Sequence, residues 1–324
     1  MKKQTTIQNY DAASFIEKAL EIFRYQAANN LVYKEYLNGI SCNVLSVKSL
    51  DKIPFLPISL FKTHSILTEN QKPQQTFLSS GTTGMDRSKH LVADIDLYKQ
   101  SFSKGFAHFF GSVKEYTILA LLPSYLEQKD SSLVYMITDL IAQSQNAESG
   151  FYLHNHTVLA QKIKKLDQKG EKILLIGVTY ALLELLELEN FQLENVLIME
   201  TGGMKGRRKE LIKSELHSIL KKGFGVSKIY SEYGMTELLS QAYSLGNELF
   251  QTPPWMKILI REVEDPFNIL PIGRSGGINI IDLANINSCS FIATQDLGKI
   301  HPNDTFEVLG RYDHSDIRGC NLML

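Results

Sequence analysis

The chain has 324 residues, of which 44% are hydrophobic, so it can form a sizeable core in one large domain or two ordinary ones. Its 34 basic and 35 acidic residues give a formal net charge of −1, which argues against an electrostatic grip on nucleic acid or on an anionic membrane. Residues 1–10 lack the apolar segment of a secretory signal, and no apolar run is long enough to span a membrane, so we expect a cytoplasmic protein. The 3 cysteines, Cys42, Cys289 and Cys320, are too dispersed for a disulfide framework or a zinc site.

The first part of the chain combines a helix with short extended segments. Asp11 is placed to cap a helix, because apolar residues recur at helical spacing over residues 15–27. Two prolines within residues 53–62 prevent a regular helix or a central strand and favour an extended segment. Residues 76–78 and 90–92 then read as short strands on either side of a loop.

Helices and strands alternate from residue 94 to residue 199. The predicted helices are residues 94–110, 131–141, 158–166 and 180–188. The predicted strands are residues 116–122, 150–153, 172–178 and 196–199. Because strands alternate with helices and are apolar on both sides, we predict an α/β core with a mainly parallel sheet covered by helices on two faces.

After residue 250 the pattern changes to short strands without a long helix between them. The predicted strands are residues 256–261, 277–281, 290–294 and 305–309. Turn residues separate these strands, so we predict a small β-rich subdomain that packs on the sheet.

The loop after residue 78 is rich in groups that bind phosphate. Its members are Ser79, Ser80, Gly81, Thr82, Thr83 and Gly84. The glycines permit unusual backbone torsions, and the hydroxyls and free amide groups are suited to cradle an anion. The spacing is not that of a Walker A loop. From the residues alone, an ordinary turn of this composition is an equally good interpretation.

Two predicted strands end in chemically unusual segments, where ligands of open α/β sheets collect. The strand at 196–199 runs into residues 200–208, where Gly202 and Gly203 would let a flat ligand approach the backbone and the following cations could meet phosphates. A basic helix N-terminus after a flexible turn explains this segment nearly as well.

The second segment, residues 231–237, follows a short strand. Tyr233 can stack on a base, Gly234 can admit a phosphate, and Glu237 can hold a hard cation. Taken alone, a polar strand exit that caps a helix at Leu238 is the simpler interpretation. His154 and His156 lie two residues apart but lack an evident third ligand, so we do not predict a metal site there.

Four segments resemble, in order and approximate spacing, the core motifs of the adenylate-forming (ANL) superfamily of acyl-CoA synthetase-like enzymes. They are Ser79–Gly84, Tyr233–Glu237, Asp296–Gly298 and Gly310–Asp313. Other segments are more particular and resemble the LuxE-type acyl-protein synthetases, the fatty-acid-activating component of bacterial bioluminescence, and their relatives. They are Phe55–Lys62, Pro123–Tyr125 with Asp130–Ser132, Thr201–Gly206 and Arg318–Asn321. Each motif is weak or moderate alone, but their ordered combination is specific.

The resemblance implies an ANL-like N-terminal adenylation domain and two half-reactions that use ATP and Mg²⁺. A carboxylic acid attacks the α-phosphate of ATP, and a thiol then takes the acyl group. The resemblance implies that the Ser79–Gly84 loop holds the β- and γ-phosphates, that Thr236 donates to the α-phosphate and that Glu237 binds magnesium. It also implies that Gly202, Gly203 and Tyr233 flank adenine, that Asp296 accepts both ribose hydroxyls and that Arg311 contacts the ribose or a phosphate. Without the other motifs, Asp296 reads as a turn aspartate before Gly298, and a surface position remains equally open for Arg311.

The family also frames the last residues of the chain. Adenylating enzymes commonly continue into a mobile lid that carries a catalytic lysine, and we expect this lid to be absent here, because the chain stops soon after Gly310. Lys205, Lys89 or a partner protein would then supply the positive charge. In LuxE-type proteins a cysteine near the C-terminus is thought to accept the acyl group, which makes Cys320 the candidate acceptor, against an ordinary packing role.

The sequence therefore predicts an ATP-dependent ligase that activates a carboxylic acid, most simply a fatty acid bound near Tyr125, Ser131 and Ser132. The acceptor would be a protein thiol. The alternatives are a ligase that transfers to coenzyme A and a degenerate ATP-binding scaffold. The predicted organisation is a helical segment at residues 1–50, a nucleotide-binding α/β core at 51–250, a β-rich subdomain of the same unit at 251–310 and a hinge-like tail at 311–324.

Overall fold

The computed structural model describes residues 6–80, 87–123, 127–202 and 211–312. The helices are α1 (Ala12–Asn29), α2 (Leu31–Gly39), α3 (Leu60–Thr63), α4 (Ile95–Phe110), α5 (Ser132–Ser144), α6 (His156–Gln168), α7 (Thr179–Leu188) and α8 (Lys213–Phe224). The strands are β1 (Leu56–Pro57), β2 (Gln75–Leu78), β3 (Lys89–Val92), β4 (Thr117–Leu121), β5 (Gly150–Phe151), β6 (Ile173–Gly177), β7 (Val196–Glu200), β8 (Tyr230–Tyr233), β9 (Ala242–Ser244), β10 (Phe250–Gln251), β11 (Met256–Arg261), β12 (Ser275–Asp282), β13 (Phe291–Ile300) and β14 (Phe306–Arg311). In the part of the chain so described, no helix has both the length and the apolar character needed to cross a membrane.

The chain divides into two compact units. The first unit consists of Met1–Thr76, Gly81–Leu97 and Thr252–Leu324. The second unit consists of Phe77–Ser80 and Tyr98–Gln251.

The second unit contains the predicted α/β core. Its strands lie in the order β5-β4-β6-β7-β8-β9-β10, and the run from β5 to β8 is parallel. β9 and β10 add two antiparallel strands that the sequence did not predict. The fold class predicted from the alternating helices and strands is confirmed.

Helices cover the central strands because both faces of these strands are apolar. On one face, Leu119, Leu175 and Ile198 pack in a cluster with buried side chains of α6, α7 and α8. Side chains of opposite parity, such as Ile118 and Leu174, point to the other face and are equally buried. A parallel sheet with two buried faces follows from these continuous apolar runs.

The first unit contains an antiparallel sheet in the order β11-β12-β13-β14, with β1 added in parallel to β13. Helix α1 begins after Asp11 in a capping box with Ser14, as predicted for its N-terminus. The buried Gln26 amide of this helix donates to the carbonyl oxygens of Asn285, Ile286 and Ser288. These hydrogen bonds hold α1 against the loop that follows β12.

The structure corrects one predicted strand of this unit. The sequence predicted that the strand at 290–294 would end before Asp296, but β13 continues to Ile300. The extra residues pair with β12 on one side, through Gly276 and Gly277, and with β14 on the other. Asp296 is therefore a strand residue, and the interpretation of a turn aspartate is wrong.

Candidate active site

The carboxyl ends of β7 and β8 lie side by side in the second unit. Glu200 of β7 is in register with Ser231 of β8, so Gly202 and Tyr233 each lie two residues further along their own segments. Gly202 has a φ of +72°, and a Cβ placed on it would meet no described atom within 4 Å. Tyr233 is half-buried, and its ring centroid is 5.7 Å from that of Phe250. The ends of two neighbouring strands thus carry a glycine and an aromatic residue, which are residue types that suit a flat ligand such as a base.

The start of the predicted phosphate-binding loop lies beside another predicted segment. The backbone N–H of Leu78, the last residue of β2, donates to the carbonyl of Asp130 at 2.8 Å. Ser79 and Ser80 therefore begin next to the segment Asp130–Ser132. Gly81, Thr82, Thr83 and Gly84 lie outside the described residues.

Helix α4 connects this region to the segment after β8. The hydroxyl of Tyr98 donates to the carbonyl of Ser132 at 3.0 Å. One turn further along α4, the hydroxyl oxygens of Ser101 and Ser240 are 3.0 Å apart, and both residues are buried. Ser131 caps α5 by accepting the N–H of Val134. Hydrogen bonds thus join three segments that are far apart in the sequence. Tyr125, predicted near the acyl group, lies outside the described residues.

The segment that carries Thr236 and Glu237 is a series of turns. No helix begins at Leu238, whose N–H instead donates to the carbonyl of Met235 at 3.1 Å. The interpretation of this segment as a helix cap is therefore wrong. Thr236 is partly exposed, and Glu237 is 5% exposed. This conformation can present a hydroxyl and a carboxylate from successive residues at the end of a strand.

A buried ionic cluster lies beneath Gly202, and no role was predicted for its members. Glu200 Oε1 is 3.2 Å from Lys213 Nζ and 3.5 Å from His217 Nε2, while Oε2 accepts the N–H of Gly202 at 2.7 Å. Burial alone would raise the pKa of Glu200, but the hydrogen bond with His217 and the charge of Lys213 outweigh it and lower the pKa to about 2. The carboxylate is therefore ionised and anchors the turn at Gly202.

Glu232, on the same edge, has the opposite character. Burial raises its pKa to about 8, and the negative charge of Glu200 adds to this rise, so that Glu232 is mostly protonated at neutral pH. A Cβ at Gly234 would collide with Glu232 Oε1, so a larger residue here would make the end of the Glu232 side chain move. At neutral pH, Glu200 is therefore ionised and Glu232 is mostly neutral. Together they place one negative charge, and not two, at the edge of the sheet where phosphates are expected.

Asp296 and Arg311 lie in the first unit as directly paired residues of β13 and β14. Arg311 Nε is 3.9 Å from Asp296 Oδ1. The Arg311 side chain is 68% exposed and that of Asp296 is 19% exposed. The two side chains thus lie on neighbouring strands, and that of Arg311 is the more exposed.

The remaining predicted residues fall into two groups. Lys89 is the exposed first residue of β3 in the first unit. Gly203, Lys205 and Cys320 lie outside the described residues. His154 pairs with Glu127 through Nε2 and Oε1, 2.8 Å apart.

The other two cysteines are free thiols. Cys289 is completely buried, and burial raises its pKa to about 12. The pKa of Cys42 is also raised by burial. Neither thiol has the lowered pKa of a reactive cysteine.

A magnesium ion would have to be held by few protein ligands. Among residues 6–80, 87–123, 127–202 and 211–312, no group of three or more histidine, cysteine, aspartate or glutamate residues is placed to bind a metal. Mg²⁺ on a nucleotide usually takes one or two carboxylates, and phosphate and water oxygens complete its shell. A single buried carboxylate at Glu237 is compatible with that type of site.

Known proteins resemble this chain in sequence and in fold. The long-chain-fatty-acid–luciferin-component ligase of Vibrio harveyi is 22% identical over 331 residues, which cover 93% of this chain and 85% of that protein. A 2-hydroxyisobutyryl-CoA ligase in complex with 2-HIB-AMP and CoA superposes with a TM-score of 0.68 at 12% identity, over 95% of this chain and 70% of that one. ATP-bound MatB from Rhodopseudomonas palustris gives a TM-score of 0.54 at 17% identity, and the match covers 73% of this chain but only 47% of MatB.

The structural matches establish the fold, which is the one that the sequence resemblance implied. The family model for acyl-protein synthetases of the LuxE type matches residues 8–324. This match spans both compact units and every segment singled out in the sequence. The chain belongs to the LuxE acyl-protein synthetase family.

Proposed function

We propose that this protein uses ATP to activate a carboxylic acid as an acyl adenylate and then transfers the acyl group to a thiol. The observation that carries the proposal is a set of three hydrogen bonds, from Leu78 to Asp130, from Tyr98 to Ser132 and between Ser101 and Ser240. They connect the end of β2, the Asp130–Ser132 segment and the segment after β8, two of them through α4. The family description and the ligase relative from Vibrio harveyi support the same reaction.

In the first half-reaction a carboxylate oxygen forms a bond to the α-phosphorus of ATP, and the bond to the pyrophosphate oxygen breaks. Two anions must approach each other, and negative charge spreads over the phosphate oxygens. The protein must therefore supply donors and positive charge that are already in position. Thr236 would donate its hydroxyl to the α-phosphate, and the loop Ser79–Gly84 would hold the β- and γ-phosphates.

The family motifs imply how the nucleoside would be held. Adenine would lie against Gly202, Gly203 and Tyr233, and the lack of a Cβ on Gly202 would let it approach the backbone. Asp296 would accept hydrogen bonds from the ribose hydroxyls, and Arg311 would contact the ribose or a phosphate. Gly234 would keep the backbone after Tyr233 free for the phosphate chain.

Glu237 would bind the magnesium ion that accompanies ATP. The ion would neutralise part of the charge that develops on the phosphates during the transfer. Lys89 or Lys205 would supply further positive charge, and a partner protein is the third possible source.

In the second half-reaction a thiolate attacks the acyl carbon, and AMP leaves with the electron pair of the carbon–oxygen bond. Cys320 would be the acceptor, because Cys289 is buried with a raised pKa and Cys42 also has a raised pKa. The thiol must lose its proton to solvent or to a base before the attack. Free thiols at Cys42 and Cys289 support a reducing compartment such as the cytoplasm.

The acid would be a fatty acid, which is the substrate named for the Vibrio harveyi relative. Ser131 and Ser132, at the start of α5, would lie near the acyl group together with Tyr125. The size of the acyl pocket sets the preferred chain length, so we expect kcat/KM to depend on the length of the acid and not on a specific polar contact.

Two measurements test the proposal. Pyrophosphate release from ATP, with a panel of fatty and aromatic acids, should be acid-dependent. Radiolabelled acid should then remain on the denatured protein. Acyl transfer that takes place only when coenzyme A is added would favour a coenzyme A ligase. No pyrophosphate release with any acid would favour a scaffold.

A further inference from the structure

Arg261 is a buried arginine at the end of β11 to which no role has been assigned. It is 4% exposed. One guanidinium nitrogen, Nη1, donates to the carbonyl of Ile278 and to Asn279 Oδ1, each at 2.8 Å. The other, Nη2, donates to the carbonyl of Thr294 at 2.6 Å and to the hydroxyl of Tyr312. The side chain thus connects β11 with β12, with β13 and with the residue that follows β14.

The packing around the guanidinium shows that its place is built into the fold. A Cβ on Gly277 would lie 2.6 Å from Arg261 Cζ, so glycine leaves the room that the guanidinium occupies. All four acceptors are neutral oxygens. Burial lowers the pKa of Arg261, and Tyr312, Tyr36 and Asp296 act in the opposite direction. A buried cation with only neutral hydrogen-bond partners is costly, which suggests a role beyond packing.

A short chain of hydrogen bonds leads from Arg261 to Asp296. The carbonyl of Ile278, which accepts from Arg261, also accepts the hydroxyl of Thr294 at 2.9 Å. The same Thr294 oxygen accepts the backbone N–H of Asp296 at 3.1 Å. Thr294 therefore links the arginine to the backbone of the aspartate.

The partner strand is held in a similar way. Tyr312 follows Arg311 directly, and its N–H donates to the carbonyl of Gln295 at 3.0 Å. Its hydroxyl accepts from Arg261. Arg261 thus donates to Thr294, which is hydrogen-bonded to the backbone of Asp296, and to Tyr312, which follows Arg311 in the sequence. Its own hydrogen bonds do not involve the side chain of Asp296 or that of Arg311.

We propose that Arg261 and Thr294 are positioning residues that set the Asp296 carboxylate for recognition of the ribose of ATP. The inference rests on the proposed function, in which Asp296 accepts the ribose hydroxyls. It predicts that loss of the Thr294 hydroxyl weakens the binding of ribose hydroxyls and leaves the contacts to base and phosphate in place.

The test compares ATP with 2′,3′-dideoxyATP, which lacks both hydroxyls, by isothermal titration calorimetry on the full chain. Thr294→Val retains the shape of the side chain, and Arg261→Lys retains the charge without the forked geometry. Each variant should bind ATP about tenfold more weakly, the effect of about 1.4 kcal/mol for a misplaced hydrogen-bond acceptor, and should bind the dideoxy analogue within about twofold of the wild type. Thr305→Val is the matched control, because Thr305 is a buried threonine of the same unit whose hydroxyl donates to Asn303.

The outcomes separate the inference from the function on which it rests. Wild-type protein that binds neither nucleotide overturns both. Wild-type protein that prefers ATP, together with a Thr294→Val variant that is folded by thermal unfolding and keeps the same preference, overturns the inference alone. Equal weakening of both nucleotides in Thr294→Val would also overturn it, because a merely structural role produces that result.

Discussion

The carboxylate of Glu200 accepts the backbone N–H of Gly202 at 2.7 Å, and it does so while buried beside Lys213. This contact fixes the turn that directly follows β7. The geometry of the predicted adenine site therefore depends on an ionised carboxylate below it.

Glu200→Gln should destabilise the protein by about 2–3 kcal/mol at pH 7, because it removes the carboxylate charge that both Lys213 and His217 contact. The measurement is the free energy of unfolding in urea. The pKa of Glu200 is lowered to about 2 in the folded protein, so its contribution is present above the unfolded value near 4.5 and is lost as the pH falls towards 2. Glu194→Gln, at an exposed glutamate before the same strand, is the control and should change little.

Glu232→Gln should stabilise the protein at pH 8. The pKa of Glu232 is raised to about 8, so between the unfolded value near 4.5 and pH 8 the folded state binds more protons and wild-type stability falls as the pH rises. The variant avoids this loss and should exceed the wild type by about 4 kcal/mol at pH 8 but by only about 1 kcal/mol at pH 5, because each unit of pKa shift contributes about 1.4 kcal/mol. Urea unfolding across this pH range measures the difference, and a constant difference at all pH values would contradict the raised pKa.

Asp296→Asn should raise the KM for ATP about tenfold, because a neutral amide is a weaker acceptor for two ribose hydroxyls. The KM for 2′,3′-dideoxyATP should change little. Asp304→Asn, in the exposed turn before β14, serves as the control in the same unit. Equal changes for both nucleotides would show that Asp296 does not bind the ribose.

Cys320→Ser should abolish the retention of labelled acid on the denatured protein and leave pyrophosphate exchange within about twofold of the wild type, because the acceptor takes part only after the adenylate has formed. Cys42→Ser is the matched control at a free, partly buried thiol and should retain the label. Label that persists in Cys320→Ser would assign the acceptor to another group.

The central strands of the α/β core could be predicted from the sequence because each is a nearly uninterrupted apolar run. The prediction at 172–178 became β6 at Ile173–Gly177, and the prediction at 196–199 became β7 at Val196–Glu200. Helix α8 was missed, although Leu216, Leu220 and Phe224 recur at helical spacing. Charged residues between them obscured the pattern, and the apolar face is decisive only once the sheet is present to cover it.

The motif residues could be found from their order in the sequence, but the groups that support them could not. Glu200 is paired with Lys213 and His217 only because α8 packs against the end of β7. Arg261 is buried although it shares the strand parity of the partly exposed Lys257, because Gly277 on the next strand leaves space for its guanidinium. Both arrangements depend on three-dimensional packing that no local pattern encodes.

The most direct test of acid activation is the exchange of labelled pyrophosphate into ATP by the full chain, with and without a fatty acid. We predict acid-dependent exchange in the wild type, and its loss in Glu237→Gln with an unchanged circular dichroism spectrum, because the variant retains the buried shape of Glu237 without its charge. Absence of exchange in the wild type with every acid tested, or undiminished exchange in Glu237→Gln, would contradict the proposed reaction or the role of Glu237, respectively.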